Sequence, residues 1–160
     1  MPRILLVAVV ALLGACASEP PPPPPPTVVQ LHIEASSDVN PGPGGQGAPV
    51  RVRVFELKSA TAFNRADYFS LVEQTQATLS TDLVAQDELL VKPGDKQMQE
   101  RKLDDATRQF GIVVGYRELD SAVWRDVITV PLNQTSAYSV KFGAHAISVS
   151  PAAVAEPEKK

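Results

Sequence analysis

TVVQLHIEAS at residues 27–36 and PVRVRVFELK at residues 49–58 decide the fold. In the first, Val29, Leu31 and Ile33 alternate with Gln30, His32 and Glu34; in the second, Val50, Val52 and Val54 alternate with Arg51 and Arg53. Successive side chains of an extended chain point to opposite faces, so this alternation marks strands with one buried and one wet face. They are the expected first two strands, with the arginines turned to solvent or to a partner. Between them, SSDVNPGPGGQGA is rich in Gly, Pro, Asn and Asp, the composition of a long exposed loop.

The same period recurs downstream. Strands are expected at Leu83–Lys92, Gln97–Leu103, Phe110–Arg117, Asp126–Leu132, Ala137–Phe142 and His145–Val149. Turn residues separate neighbours at Lys92-Pro93-Gly94-Asp95 and Pro131-Leu132-Asn133-Gln134. FGIVVGYR is apolar at both parities: Phe110, Ile112, Val114 and Tyr116 lie opposite Gly111, Val113 and Gly115, as in a central strand covered on both faces. One segment departs from the period. Between Ser59 and Ser80, Asp67 is a good N-cap, and Tyr68, Leu71 and Val72 share one helical face. The segment lacks the basic polar face of a membrane-surface helix, so one or two short helices are expected to pack on the sheet. The expected fold is mainly β: an antiparallel eight-stranded β-sandwich with a short helical insertion at 59–80.

Upstream, the chain begins MPRILLVAVVALLGAC, with Arg3, an apolar run from Ile4 to Leu13, then Gly14 and Ala15. This is the layout of a cleaved signal peptide, and the run is far short of the roughly 20 apolar residues of a membrane-spanning helix. Leu13, Gly14 and Ala15 before Cys16 match the pattern read by lipoprotein-processing enzymes. Those enzymes place diacylglycerol on the thiol, cleave before it and acylate the new amino terminus; no other cofactor is expected. Each buried methylene contributes about 0.8 kcal/mol, so one acyl chain anchors marginally and two or more anchor stably. Ala17, rather than Asp, after the cysteine favours the outer membrane. Pro20 to Pro26 follow without interruption, and as polyproline II they form a semi-rigid spacer of roughly 20 Å. The expected organisation is a signal peptide at 1–15, lipidated Cys16 and spacer at 16–26, the sandwich at 27–150, and a frayed, disordered tail at 151–160.

Cleavage before Cys16 leaves 145 residues, enough for one core. Cys16 is the only cysteine, so packing alone must hold the fold once it carries lipid. Fifteen basic and 18 acidic side chains are mixed along the chain at net charge −3, which argues against nucleic acid as a partner. His32 and His145 are the only histidines and fall on separate strands, without HxH or HxxxH spacing, so no metal site is expected. Neither GxSxG nor SxxK occurs, and adjacent acids such as Asp87-Glu88 point to opposite faces of a strand. Asp104-Asp105 reads as a solvated turn, and PGPGGQG lacks the GK[ST] ending of a phosphate loop. No catalytic residue is expected, and no enzyme.

Asp38-Val39-Asn40-Pro41, VRVRVFELKS at 50–59, Ala62-Phe63, Asp67-Tyr68-Phe69-Ser70-Leu71 and Asp82-Leu83-Val84 stand in order behind the lipobox. Lys92-Pro93-Gly94, Arg101-Lys102-Leu103-Asp104, FGIVVGYRELD, Ala122 and Trp124-Arg125 complete the series. Together they resemble the outer-membrane lipoprotein family of the type VI secretion system, TssJ. The resemblance implies an eight-stranded sandwich with an added helical element and no enzymatic activity. It implies lipid in the outer membrane and a periplasm-facing domain that grips the periplasmic part of the inner-membrane subunit TssM. It places the partner-binding loop at Ser36–Ala48, where Asp38, Val39, Asn40 and Pro41 carry the matching motif and GPGGQGA does not. From the residues alone that loop is equally a long hairpin connection; the resemblance tips it toward binding. No small-molecule substrate is expected on this reading. The alternative is a periplasm-facing sandwich lipoprotein that binds a small ligand between its sheets, in a cavity on the order of several hundred Å³.

Overall fold

The computed structural model describes residues 21–155. The expected signal peptide, Leu13, Gly14, Ala15 and Cys16, and tail residues 156–160 lie outside them. Eight strands form: β1 (Val28–Ala35), β2 (Val50–Leu57), β3 (Leu83–Val91), β4 (Lys96–Lys102), β5 (Gln109–Val114), β6 (Arg125–Thr129), β7 (Thr135–Phe142) and β8 (Ile147–Ala152). They build two four-stranded sheets, ordered β4-β1-β7-β8 and β3-β2-β5-β6. The inward residues of both, among them Val29, Leu31 and Ile33 of β1, Val50, Val52 and Val54 of β2, and Phe110, Ile112 and Val114 of β5, make one core. The sandwich read from the alternation is thus the observed fold.

Two features of the topology differ from expectation. β1 and β2 lie in different sheets, so the loop between them crosses from layer to layer and is not a hairpin. β1 and β7 pair in parallel, Val28 opposite Thr135 through Ala35 opposite Phe142, while every other strand pair is antiparallel. Both follow from one cause. After β1 the chain leaves for the second layer and returns to the first at β4; β7 then starts beside β1 at the same end, where Val28 N donates to Gln134 O (3.0 Å).

The outer face of the second sheet is also apolar, which explains the double-sided composition of β5. Phe55, Leu57 and Val113 face outward and meet Phe63, Leu71 and Leu79 of the helical insertion. That insertion contains three short helices, α1 (Thr61–Arg65), α2 (Tyr68–Glu73) and α3 (Thr75–Leu79), and a 3-10 turn at Ser80–Asp82. Asp67 caps α2, accepting from Ser70 N (2.9 Å) and Ser70 Oγ (2.6 Å), as its position before the apolar run implied. Arg125 donates to the carbonyls of Phe63 (3.0 Å) and Ala66 (2.7 Å), satisfying the exposed end of α1. Arg53 is not free for a partner: it pairs with Glu88 (2.9 Å) and donates to Val72 O of α2. Arg51 remains solvent-facing.

The two long edges of the sandwich differ. On the β6–β8 side Val149 N donates to Asp126 Oδ2 (3.1 Å), and Val123 bridges Ala146. On the β3–β4 side a cleft of about 260 Å³ opens between Val54, Glu56, Asp87, Arg101 and Phe110. Arg101 spans it to Asp87 (2.8 Å). The hydrogen bond from Arg101 holds the Asp87 carboxyl below the ordinary aspartate value. A carboxyl depressed on folding contributes stability above its unfolded pKa of about 4, and that contribution is lost as pH falls through the folded value. Asp87 is more than half exposed, so Asp87→Asn is expected to cost no more than about 1 kcal/mol at pH 7. Urea unfolding at pH 7 and pH 3 should show the difference from wild type shrinking at the lower pH.

The tail does not fray where expected. Pro151 and Ala152 end β8, opposite Tyr138 and Ala137. Beyond them Ala155 N donates to Gln30 Oε1 (2.8 Å), and Gln30 Nε2 donates to Ala155 O (3.3 Å). Buried Gln30 on the outer face of an interior strand therefore serves as a surrogate peptide group for the returning chain.

Candidate partner-binding surface

Strand direction sorts the connections to two ends. Thr27, just before β1, marks one end: it is buried, Leu103 N donates to its carbonyl (3.0 Å) and Asn133 N to its Oγ1 (2.9 Å). The proline spacer joins the domain here, Pro23–Pro26 running beside Lys102, Arg108 and Leu132. At the other end of β1 lie residues 36–49, 92–95, 115–124 and 143–146. Eight strand residues at about 3.3 Å each separate the ends by about 26 Å.

The four connections at the far end are stitched together. Gly94 N donates to Ser36 O (3.2 Å), and Ala35 N to Asp95 O (2.8 Å). Asn40 N donates to Ala144 O (3.1 Å). Its side chain reaches the end of its own loop and one further segment: Nδ2 donates to Pro49 O (3.1 Å), and Oδ1 accepts from Arg117 N (2.8 Å). Asn40 has φ = 49°, in the left-handed region where Asn is tolerated far better than bulky residues. Val123 N donates to His145 O (2.9 Å), and Ile147 N to Val123 O (2.9 Å).

The four motif residues of the first loop therefore divide. Asp38 is exposed and Pro41 half-exposed, whereas Val39 (0 % exposed) and Asn40 (5 %) point inward. Val39 and Asn40 are interior and hold the loop, which corrects the expectation of an exposed loop throughout. Burial of Val39 removes apolar area from water, and Asn40 satisfies two backbone groups that the turn leaves open. The motif-poor remainder forms an ordered tip: Gly42 N donates to Gln46 O (2.9 Å) and Gly45 N to Gly42 O (2.9 Å), with Gly45 at φ = 79°. Gly47 passes so close to the Ser37 carbonyl that a Cβ would collide with it. Beneath the loops lies buried Tyr116, whose phenol is pushed up in pKa by burial and stays neutral.

Histidine placement offers no shared chemistry. His32 sits on β1, while His145 belongs to the far-end loops with Nδ1 3.9 Å from the Glu118 carboxylate. Among the described residues no group of three His, Cys, Asp or Glu side chains could hold a metal ion, and no helix is long and apolar enough to cross a membrane. Asp87 and Glu88 do point apart, one to Arg101 and the other to Arg51 and Arg53. Sequence reading missed Asn40 as a stitch, Gln30 as a clasp and the exposure of Val123. The Asn-Pro step at 40–41, a turn signal, was the only trace of the first.

Residues 27–145 match the family described as type VI secretion lipoprotein (VasD, EvfM, TssJ). No curated protein matches at a significant level. Among solved structures, the type VI secretion lipoprotein TssJ1 from Pseudomonas aeruginosa is 47 % identical over 82 % of this chain and 100 % of that one, with a TM-score of 0.79. The Serratia marcescens Lip protein, a membrane-bound component of the type VI secretion system, is 24 % identical over 78 % of this chain and 98 % of its own, at TM-score 0.72. A chain in a structure described as the TssM C-terminal domain (869–1107) from EAEC is 23 % identical over 79 % of this chain and 99 % of that one, at TM-score 0.65. The last two share the fold. The match across all but the last strand of the sandwich, with the identity to TssJ1, makes this chain a member of the type VI secretion lipoprotein family, TssJ.

Proposed function

We propose that the protein is a non-catalytic anchor of the type VI secretion membrane complex. Acyl chains on Cys16 hold it in the outer membrane, the domain faces the periplasm, and the far-end loop Ser36–Ala48 grips the periplasmic domain of the inner-membrane subunit TssM. The observation that carries this reading is the opposition of spacer and loop at the two ends of β1. Tension between membrane and partner then runs along one covalent strand, flanked by β7 over its full length and by β4 over all but its last residue. A spacer of roughly 20 Å and a strand of about 26 Å put the loop well clear of the lipid surface. Further support is the occurrence of the same fold in a structure described as the TssM C-terminal domain.

The test is calorimetric titration of the purified periplasmic domain of the cognate TssM into the mature chain carrying Cys16→Ser. Wild-type loop sequence should bind; replacing residues 42–46 by a two-residue link should weaken binding at least tenfold with the thermal midpoint unchanged. Absence of binding by the unaltered loop would overturn the proposal. For a small ligand between the sheets, the β3–β4 cleft of about 260 Å³, lined in part by Glu56, Asp87 and Arg101, is smaller and more polar than the roughly 300–1,000 Å³, mostly apolar sites that small ligands occupy; the larger cleft of about 480 Å³ lies beside the spacer, lined by Pro23–Pro26, Lys102, Asp105 and Arg108.

A further inference from the structure

The exposed, apolar Val123 (57 % exposed) stands at the far end, between two hydrogen bonds that tie its backbone to His145 and Ile147. Nothing in the fold requires a valine there, because its side chain contributes to neither core cluster. The segments that carry Val123 and His145 are the same two that Asn40 ties to the first loop, through Arg117 N and Ala144 O. Loop, 115–124 segment and 143–146 turn are therefore one continuous platform, held by a buried amide at its centre. Three exposed carboxylates, Asp38, Glu118 and Asp120, share the platform with a single guanidinium, Arg117.

We infer that the TssM-facing surface is this three-segment platform rather than the first loop alone, with Val123 its apolar contact and Asn40 its positioning residue. The inference rests on the anchor reading above and deepens it. The complementary surface of the partner domain is an apolar depression with a basic rim, since exposed carboxylates outnumber guanidinium groups on the segments that carry the exposed Val123, a pattern selected by charge and by desolvation. Asn40 contributes indirectly: with its two side-chain bonds in place the platform is ordered before encounter, so less entropy is lost on binding.

Three variants of the full mature chain, each with Cys16→Ser, test this against the periplasmic domain of the cognate TssM. Val123→Glu changes only an exposed side chain; affinity should fall at least tenfold with the thermal midpoint within a degree or two of wild type. Asn40→Gly keeps the left-handed backbone and deletes both side-chain bonds. It should weaken binding about tenfold while hydrogen exchange accelerates at the amides of residues 42–48 and 117, and Asn40→Asp, which retains the acceptor for Arg117 N, should recover part of the loss. Wild-type affinity should also decline with added salt. Wild-type affinity in Val123→Glu, or faster exchange in Asn40→Gly with unchanged affinity, would overturn the platform. If the unaltered protein fails to bind, the anchor reading falls and the platform with it, an outcome distinct from binding that ignores these residues.

Discussion

Phe63→Ala is expected to destabilise the domain by about 3–5 kcal/mol, the range for removing a large, fully buried aromatic. Phe63 is 0 % exposed. Its ring meets Phe55 at a centroid distance of 5.7 Å, and its outer end comes so near β5 that a Cβ at Gly111 would stand 2.8 Å from it. The reverse substitution probes the same contact. Gly111→Val should gain some strand propensity, at most about 1 kcal/mol, yet lose about 1–3 kcal/mol to overpacking against Phe63, so the net sign is destabilising. Because each change vacates or fills the space of the other, the double variant should be less destabilised than the sum of the singles by roughly 1 kcal/mol or more. Urea unfolding of the four proteins measures the coupling; additivity would mean that Phe63 does not use the glycine as its seat.

Cys16→Ser should abolish secretion while leaving the fold intact. On the anchor proposal the substitution would remove the diacylglycerol and, with it, cleavage and the third acyl chain, and no residual contact could replace chains worth about 0.8 kcal/mol per buried methylene. Cell fractionation should find the domain released from the outer membrane, and a secretion assay should match a strain lacking the protein. The soluble variant should still bind the periplasmic domain of TssM with wild-type affinity, because residue 16 precedes the family-matched region at 27–145. Secretion at wild-type level by the unlipidated protein would remove the anchor from the mechanism. Combined with Val123→Glu, the two variants separate the functions: one loses the membrane and keeps the partner, the other keeps the membrane and loses the partner.

Strand alternation made the sandwich legible because period two depends only on which face a side chain takes. Val29, Leu31, Ile33 and Val50, Val52, Val54 all reached the core they announced. The insertion was legible as helical from Asp67 and its apolar face, but its division into three helices depends on contacts from elsewhere, Arg125 capping α1 and Arg53 holding α2. Arg53 read as solvated or partner-facing in sequence, since a charged residue between valines carries no mark of what will cover it. In the first loop the exposure was misread: Val39 and Asn40 look like surface in a Pro- and Gly-rich run and are interior in the fold.

The amino-acid sequence by itself determined the number and order of strands and the family, since each is written in local composition or in the order of short motifs. Tertiary structure alone decided the sheet to which each strand belongs, the parallel pairing of β1 with β7, and the gathering of three distant segments around Asn40. Those depend on contacts such as Asn40 with Arg117, 77 residues apart, whose partners are set by packing of the whole chain and leave no periodic trace in either segment.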